Sequence, residues 1–252
     1  MAAPAAILIT GASSGLGTAL AKAYAAPGVR LVLFGRDAAR LEAMARDVRA
    51  RGATAETVEA DVTDQAAMAA AVTAADDAGP LDLVIANAGV APGSAEGTDA
   101  AAKGRRILAV NLDGVLNTID PIRPRMAARG TGQIALMSSL AGFHGFPGMG
   151  PYTASKAAVR VYGEALRVEL RSRGVRVSVI CPGFIRTPMT DGAAFPMPMM
   201  MEVDSAAAVI RRGLQRGRPL IAFPWPIHLG TRVLAALPAS WADALIRRVI
   251  RV

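Results

Sequence analysis

In the stretch TGASSGLG, residues 10 to 17, three glycines follow the apolar run Ile7 to Thr10. A strand that turns into a helix beside a dinucleotide pyrophosphate needs residues without side chains, because backbone N–H groups must approach the phosphates at the positive end of the helix. Gly11, Gly15 and Gly17 meet this need, so the stretch predicts a strand, a tight turn and a helix that binds a dinucleotide. A tight turn without any ligand also uses glycines, and the glycines alone leave this alternative open.

The rest of the chain continues the alternation of strand and helix. Short apolar runs predict strands at Ile7 to Thr10, Val29 to Phe34, Thr57 to Val62, Leu81 to Ala86, Gln133 to Ser138, Val175 to Cys181 and Leu220 to Phe223. Segments of helical length lie between them, among them 38 to 51, 64 to 78, 100 to 128 and 152 to 173. Such alternation produces right-handed βαβ units. The predicted fold class is α/β: a Rossmann-type, doubly wound, mainly parallel sheet of about seven strands with helices on both faces.

Composition limits the class of protein further. The 252 residues are 52% hydrophobic and 19% charged, which is typical of a folded core. No linker or repeat interrupts the alternation, so we predict a single domain over residues 1–252 with a C-terminal extension over about 226–252. The lone Cys181 excludes an internal disulfide framework and suits a reducing compartment as a buried, inert thiol. The N-terminus lacks the pattern of an export signal and no apolar run is long enough to cross a bilayer, so we expect a cytoplasmic protein.

The positive charge lies mostly in the tail. Residues 205 to 252 contain eight Arg and one acid, Asp243, so the first 204 residues carry only +1 of the net +8. This distribution argues against nucleic acid as a partner of the main body. On a helix, Trp241, Leu245, Val249 and Val252 would form one apolar stripe, with Arg247 and Arg251 elsewhere. The tail therefore either packs on its own domain or a second subunit, or rests on anionic lipid as a peripheral membrane contact.

The end of the second predicted strand bears on the type of dinucleotide. A protein that binds an unphosphorylated ribose usually presents an acid there to the 2′-hydroxyl, but this chain has Gly35 followed by Arg36. A guanidinium suits a 2′-phosphate, so NADP(H) is the preferred cofactor and NAD(H) stays open. In the alternative interpretation, Arg36 is solvated and Asp37 caps the next helix.

Tyr152 and Lys156 lie four residues apart, on one face of a predicted helix. The chain has only three lysines, Lys22, Lys103 and Lys156, among 28 basic residues, so a Lys at this position suggests a chemical role. A phenol has a pKa of about 10, and a nearby ammonium stabilises the phenolate. The pair therefore predicts a tyrosine with a lowered pKa that exchanges protons near neutral pH, with the ammonium contributing part of the effect and a nicotinamide charge adding to it.

Several motifs in this order resemble the short-chain dehydrogenase/reductase family, in its single-domain form with an Asn-Ser-Tyr-Lys tetrad. The resemblance covers residues 5 to about 225 and rests on TGASSGLG, ADV at 60 to 62, NAG at 87 to 89, VNLDG at 110 to 114, SSLAG with YTASK, and CPGFIRTPM at 181 to 189. Each motif alone could arise by chance, whereas their order and spacing together are specific.

The resemblance implies catalytic roles for four residues. Ser139 would hold the substrate carbonyl oxygen, with Ser138 as the weaker candidate. Tyr152 would be the general acid in reduction and the base in oxidation. Lys156 would lower the pKa of the tyrosine and bind the cofactor ribose. Asn111 would sit in a locally perturbed helix and hold a water that links Lys156 to solvent.

The resemblance also implies the cofactor contacts. Besides Tyr152, Lys156 and Arg36, these are Gly11, Ser13, Ser14, Gly15, Leu16 and Gly17 in the glycine-rich turn, Asp61 and Val62 at the adenine, Asn87, Ala88 and Gly89 near the adenosine ribose, and Pro182, Gly183, Ile185 and Thr187 at the nicotinamide. Ser14 stands where some NADP-binding members have a basic residue, so a 2′-phosphate would rest mainly on Arg36. No cluster at ligand spacing predicts a metal.

The predicted function is reversible hydride transfer between a nicotinamide and a carbonyl or secondary alcohol. The methionine-rich segment 188 to 201, interpreted as an apolar flap, favours a bulky, apolar, steroid- or lipid-like small molecule. By analogy with relatives that pair the helices around 100 to 128 and 152 to 173, we expect a homodimer or homotetramer. Two alternatives remain: a non-catalytic NADP-sensing protein on the same fold, and a membrane-surface interaction module.

Overall fold

The centre of the fold is a parallel β-sheet, seen in a computed structural model that describes residues 4–95, 97–191 and 197–250. Within these residues the sheet has seven strands in the order β3-β2-β1-β4-β5-β6-β7. The strands are β1 (Ala6–Thr10), β2 (Arg30–Gly35), β3 (Thr54–Glu59), β4 (Leu83–Ala86), β5 (Gly132–Met137), β6 (Val175–Pro182) and β7 (Leu220–Phe223). The predicted fold class is confirmed, while the assignment of a single domain stays a prediction.

Helices connect the strands and cover both faces of the sheet. They are α1 (Gly15–Tyr24), α2 (Ala38–Arg49), α3 (Gln65–Asp77), α4 (Ala100–Leu108), α5 (Gly114–Ile119), α6 (Arg123–Arg129), α7 (Gly150–Arg171), α8 (Val203–Gln215), α9 (Trp225–Ala236) and α10 (Ala239–Ile250). A π-helical turn, Ala109–Asp113, joins α4 to α5, and a 3-10 turn, Leu140–Phe143, precedes α7. The carboxylates of Asp37, Asp64 and Asp99 cap α2, α3 and α4, and each accepts a hydrogen bond from the backbone N–H of the third residue of its helix.

The core has two parts because successive side chains of a strand point to opposite faces. On β1, Ile7 and Ile9 pack against α1, α2 and α8, whereas Leu8 packs on the other face with residues of α3, α5 and α7. All three side chains are fully buried. The uninterrupted apolar strands in the sequence therefore correspond to a sheet that helices cover on both sides.

Most predicted elements agree with the structure to within two residues at each end, and three segments differ more. β3 begins three residues earlier than predicted, because this edge strand is largely exposed and its apolar pattern is weak. The segment 100 to 128 is not one helix: α5 ends at Ile119, two residues before Pro121, which has no backbone N–H to continue the helical hydrogen bonds. Part of the predicted flap, residues 192–196, lies outside the described residues, and the described end of the segment pairs Met201 with Ile185.

The tail forms α9 and α10, but the predicted apolar stripe is not the face that packs. Trp241 and Leu245 are 68% and 46% exposed, and the side chains of Val249 and Val252 lie outside the described part of the chain. Ala242 and Ile246, on a neighbouring face of α10, are buried in a small cluster with Leu234, Leu237 and Phe146. The tail thus packs on its own chain through other residues. None of the described helices is both long and apolar enough to cross a bilayer.

Candidate active site

The glycine-rich turn and the segment after β4 meet where the strand order reverses, between β1 and β4. The Thr10 hydroxyl accepts hydrogen bonds from the backbone N–H groups of Asn87 (3.0 Å) and Ala88 (3.1 Å). The Asn87 side chain in turn donates to the Thr10 carbonyl (2.9 Å). Such a reversal opens a crevice at the carboxyl edge of a parallel sheet, where ligands bind in doubly wound folds.

Gly11 and Gly17 allow the chain to approach itself closely at this turn. Gly11 has a φ of +68°, and a Cβ atom on it would lie 3.0 Å from Cα of Ala88. A Cβ atom on Gly17 would overlap the carbonyl oxygen of Gly11 and lie 2.8 Å from Nδ2 of Asn87. Both positions therefore exclude a side chain for steric reasons that do not depend on a ligand.

The start of α1 fits a dinucleotide pyrophosphate. Within the described residues, the Ser14 side chain makes no capping hydrogen bond to α1, and the first turn holds no acid. The chain thus leaves the positive end of this helix without the carboxylate that α2, α3 and α4 each have, and the turn in front of it has no bulky side chains. Ser13 packs beside Gly35, Leu16 joins the core, and Gly15 lies near Thr187.

Three of the predicted adenosine contacts, Arg36, Asp61 and Val62, follow β2 and β3 on one side of β1, whereas Asn87, Ala88 and Gly89 follow β4 on the other side. Arg36 directly follows β2 and is exposed. A Cβ atom on Gly35 would lie 2.9 Å from Oγ of Ser13, so an acid at position 35 would displace that serine. Val62 packs against Gly114, and its carbonyl accepts a hydrogen bond from Asn117 (2.9 Å).

Asp61 is held by partners that the sequence does not reveal. Its carboxylate accepts hydrogen bonds from Arg106 (2.7 Å) and from the hydroxyl of Thr63 (2.8 Å). Burial raises the pKa of Asp61, but the hydrogen bonds from Arg106 and Thr63 outweigh it and lower the pKa to about 2. The carboxylate is therefore ionised near neutral pH and fixed in place by α4.

The predicted nicotinamide residues follow β6. The backbone N–H of Gly183 donates to the Phe223 carbonyl (2.7 Å). The Thr190 hydroxyl binds the carbonyls of Ile185 (2.8 Å) and Thr187 (2.9 Å). These bonds hold the segment from 183 to 190 in a fixed turn beside the end of the sheet.

Tyr152 and Lys156 lie one turn apart near the start of α7, and Nζ of Lys156 is 5.8 Å from the centre of the Tyr152 ring. Ser139, at the end of β5, shares a hydrogen bond with Tyr152 and also donates to the Pro182 carbonyl (3.4 Å). The neighbouring Ser138 donates instead to the backbone of Lys156 (2.7 Å). The structure thus brings Ser139, rather than Ser138, to the tyrosine hydroxyl.

Asn111 lies in the π-helical turn, which is the helix perturbation that the sequence predicts at this position. Its amide oxygen accepts from the backbone N–H of Val90 (2.8 Å), and Nδ2 donates to the Val90 carbonyl (3.0 Å) and to Oγ of Ser155 (3.1 Å). A Cβ atom on Gly89 would lie 3.1 Å from Oδ1 of Asn111 and 3.3 Å from Nζ of Lys156. Gly89, Asn111 and Lys156 therefore converge behind Tyr152.

Burial governs the titration of the tyrosine and lysine in the chain without a ligand. Burial raises the pKa of Tyr152, and the hydrogen bond with Ser139 offsets this only in part. Burial also lowers the pKa of Lys156 to about 8, against a smaller opposing effect of Cys181. The predicted lowering of the phenol pKa, in which a nicotinamide charge adds to the effect of Lys156, stays a prediction; in the chain without a ligand both groups are buried and Nζ donates to the Met137 carbonyl (3.0 Å).

Three contributors to this site were not assigned a role from the sequence. Thr10 is part of the glycine-rich motif, and a hydroxyl at the end of a strand could have suggested a contact to the next strand. Ser155 precedes Lys156 and joins Asn111 to the Tyr152 carbonyl, to which it donates (2.7 Å). Arg106 gives no local signal, since its partner Asp61 is 45 residues away.

Two other predictions concern metals and the cysteine. Among the residues that the structure describes, no three His, Cys, Asp or Glu side chains form a group that could hold a metal ion. Cys181 is buried, and burial raises the pKa of its thiol to about 11. The thiol is therefore protonated near neutral pH.

Several known proteins are similar to this chain in sequence or in structure. A family model described as short chain dehydrogenase matches residues 5–194. An uncharacterised oxidoreductase of Myxococcus xanthus (strain DK1622) is 41% identical over 243 residues, which cover 96% of this chain and 96% of that protein.

Two solved structures share the fold over most of both chains. A short-chain dehydrogenase from Sphingobium yanoikuyae in complex with NADPH has a TM-score of 0.79 and 30% identity, covering 93% of this chain and 97% of the other. A short chain dehydrogenase/reductase from Burkholderia phymatum in complex with NAD has a TM-score of 0.80 and 28% identity, covering 90% and 91%. The two neighbours thus hold different nicotinamide cofactors.

Proposed function

The chain belongs to the short-chain dehydrogenase/reductase family of oxidoreductases, whose members act on CH–OH and C=O groups, and on this premise we propose that it is an NADP(H)-preferring enzyme that interconverts a carbonyl compound and a secondary alcohol. The observation that carries the proposal is the convergence of Ser139, Tyr152, Lys156 and Asn111 at the carboxyl edge of the sheet that also bears the glycine-rich turn.

The proposed chemistry at the chain's own residues is general acid–base catalysis. In reduction, Ser139 and Tyr152 donate hydrogen bonds to the substrate carbonyl oxygen, and Tyr152 delivers its phenolic proton to that oxygen. In oxidation, the Tyr152 phenolate accepts the proton of the alcohol. The cofactor, when bound, supplies or accepts the hydride. Because burial keeps the phenol protonated, the chain holds Tyr152 in the form that reduction requires.

Lys156 and Asn111 support this proton transfer. The ammonium of Lys156 stabilises the phenolate electrostatically when it is charged, and its burial beside Tyr152 keeps water from screening the interaction. Lys156 would also bind the cofactor ribose. Asn111, held between Val90 and Ser155, would position the water that connects Lys156 to solvent.

A panel of carbonyl compounds tests the activity. We expect NADPH oxidation with at least one compound among steroids, medium-chain ketones, aldehydes and quinones, with the bulky apolar ones favoured. Tyr152→Phe should lower kcat by a factor of about 10²–10⁴ in a protein that still binds NADPH, because the other cofactor contacts remain. Full turnover by this variant would contradict the proposed acid. A protein that binds NADPH but turns over none of the compounds would instead be the sensing protein that the same fold allows.

The preference for NADP(H) rests on Arg36 and Gly35. We expect Arg36→Ala to raise the KM for NADPH about tenfold, because a charge-assisted hydrogen bond to the 2′-phosphate is lost, and to leave the KM for NADH unchanged. Arg46→Ala, which removes another exposed Arg from α2, is the matched control and should affect neither. Equal changes for both cofactors would contradict a 2′-phosphate contact.

The assembly and location of the protein are further parts of the proposal. Leu108 on α4 and Val161 and Val168 on α7 are exposed by 39%, 53% and 73%. Apolar side chains on these two helices support pairing of subunits there, in a cytoplasmic homodimer or homotetramer. Light scattering of the purified protein measures this directly, and a monomer would contradict it. Membrane contact of the tail is a separate proposal and depends on the surface of α9 and α10.

A further inference from the structure

The last two helices repeat one pattern of exposed residues. In each helix a Trp, a Leu and an Arg occupy positions i, i+4 and i+7, which share one face. The residues are Trp225, Leu229 and Arg232 in α9, and Trp241, Leu245 and Arg248 in α10. We refer to these six residues as the tail face.

The apolar members of the tail face are more exposed than large apolar side chains usually are. Trp225 and Trp241 are 72% and 68% exposed, and Leu229 and Leu245 are 55% and 46% exposed. Val233, one turn after Leu229, is 52% exposed and widens the stripe on α9. Contiguous exposed apolar residues rimmed by polar ones are typical of surfaces that bind a partner.

A different side of each helix attaches the tail to the rest of the chain. Leu234 of α9 and Ala242 and Ile246 of α10 are buried together against Phe146, which lies in the loop before α7. The His228 ring of α9 lies 5.3 Å from the Phe143 ring in the 3-10 turn that follows Ser139. The tail is therefore attached close to Ser139 in the candidate active site. The side of each helix that packs against the rest of the chain is already buried.

The charge around the tail face indicates which kind of surface it binds. Residues 226 to 252 contain four Arg and a single acid, Asp243. Asp243 is two positions after Trp241 and so lies on the far side of α10 from the Trp. Two copies of the chain joined through the tail face would bring the same arginines together, because an isologous contact pairs a surface with itself. The positive rim instead suits an anionic surface.

We propose that the tail face docks on the surface of an anionic phospholipid bilayer. Tryptophan rings favour the headgroup region, where one edge is apolar and the other can donate a hydrogen bond. Arginine side chains place their stems along apolar surface and their guanidinium groups toward phosphates. Helices with an apolar stripe and a basic rim lie in the interface plane rather than across the membrane. This proposal does not depend on the proposed activity.

Intrinsic fluorescence gives a direct test, because Trp225 and Trp241 are the chain's only two tryptophans. Full-length protein is mixed at low salt with vesicles of phosphatidylcholine and phosphatidylglycerol in equal amounts. We expect a blue shift of the emission as the rings leave water, and co-sedimentation of the protein with the vesicles. Vesicles of phosphatidylcholine alone, or high salt, should reduce both signals, since salt screens the attraction between exposed charges.

Variants show whether the tail face carries the binding. Arg232→Gln with Arg248→Gln should lower the vesicle partition coefficient at least about tenfold at low salt. Arg171→Gln with Arg173→Gln removes the same charge from exposed positions at the end of α7 and should leave the partition coefficient nearly unchanged. Leu229→Ser with Leu245→Ser should weaken binding at all salt concentrations. Circular dichroism verifies that each variant remains folded.

Three results would overturn the proposal. The first is the absence of any blue shift or co-sedimentation at low salt with the anionic vesicles. The second is an equal loss of binding in the two pairs of Arg variants, which would indicate a response to net charge alone. The third is a blue shift that grows with protein concentration in the absence of lipid, which would assign the tail face to contact between copies of this chain.

Discussion

The two ends of the candidate active site are built on opposite principles. At the glycine-rich turn, the proposed phosphate end, the structure requires side chains to be missing: a Cβ atom on Gly17 would overlap the Gly11 carbonyl, and one on Gly11 would touch Ala88. Around Tyr152, the proposed catalytic end, the structure contains polar side chains that are buried. Asn111, Ser155 and Lys156 are 0%, 0% and 4% exposed, and hydrogen bonds hold all three.

This difference implies different sensitivities to substitution. The phosphate end tolerates no added volume at Gly11 and Gly17, since the nearest atoms are backbone atoms of Ala88 and Gly11, which cannot rotate away. The catalytic end tolerates no loss of hydrogen-bonding atoms, since each loss leaves a buried partner unsatisfied. The catalytic end also contains Lys156, and burial of its charge lowers the free energy of unfolding. The glycine turn contains no such buried charge.

Gly17→Ala tests the phosphate end and should have a larger effect than the substitutions of Lys156 and Ser155 at the catalytic end. A single added methyl group must displace the Gly11 carbonyl or Asn87, which form the turn itself. Overpacking of this kind costs about 1–3 kcal/mol, so we expect the affinity for NADPH to fall roughly 10- to 100-fold. Titration of NADPH fluorescence measures this directly.

Gly230→Ala is the matched control for that substitution. Gly230 also lies inside a helix, α9, but a Cβ atom there would meet nothing within 4 Å. Alanine stabilises an open helical position by about 0.5–1 kcal/mol relative to glycine, so NADPH affinity should not change and the melting temperature should rise slightly. Equal losses of affinity in the two variants would contradict the role assigned to close approach at Gly17.

Lys156→Met tests the cost of the buried charge at the catalytic end. The pKa of Lys156 falls from 10.5 to about 8 on folding, because burial disfavours the ammonium. The unfolded chain therefore binds more protons between pH 8 and pH 10.5, and the free energy of unfolding rises with pH in this window. Relative to Lys156→Met, the wild-type protein should gain about 2 kcal/mol between pH 7 and pH 10. Urea unfolding at several pH values measures the difference.

Lys103→Met is the control for the pH series, since Lys103 is exposed near the start of α4. The stability difference between this variant and the wild-type protein should stay nearly constant from pH 7 to pH 10. A constant difference for Lys156→Met as well would show that the folded chain holds Lys156 with an ordinary pKa, and the electrostatic account of the catalytic end would be wrong.

The sequence predicts the parts of the site that depend on neighbouring residues. The glycine turn follows from three glycines within seven residues, and the common face of Tyr152 and Lys156 follows from their spacing on a helix. The parallel sheet with helices on both faces follows from the alternation of strands and helices and from the handedness of their connections. These features are local or depend on rules that apply to every βαβ unit.

The sequence does not predict contacts between distant segments. The bond from Asn111 to Ser155 spans 44 positions, and the ion pair of Asp61 with Arg106 spans 45. The two residues of each pair lie in different parts of the fold, so the periodicity of a single helix or strand does not predict their contact. The raised pKa of Tyr152 has the same origin, because burial depends on the whole fold and spacing alone suggests the opposite direction. The sequence also leaves open which face of α10 packs, because two adjacent faces of that helix are apolar: Ala242 and Ile246 are buried, whereas Trp241 and Leu245 are exposed.

Ser155→Ala tests how strongly the catalytic end depends on one hydroxyl. Ser155 touches neither substrate nor cofactor in this account; it positions Tyr152 and Asn111 by donating to one and accepting from the other. Loss of a buried hydrogen bond costs about 0.5–1.5 kcal/mol, so we expect kcat to fall roughly 3- to 10-fold with an unchanged KM for NADPH. Thr153→Val removes a hydroxyl that bonds only within α7, to the Gly150 carbonyl (3.0 Å), and should leave kcat unchanged. If Ser155→Ala instead weakened cofactor binding and left kcat unchanged, Ser155 would act as the glycines of the phosphate end do, through the shape of the cofactor site. The proposed positioning of Tyr152 and Asn111 by a hydrogen bond would then be wrong.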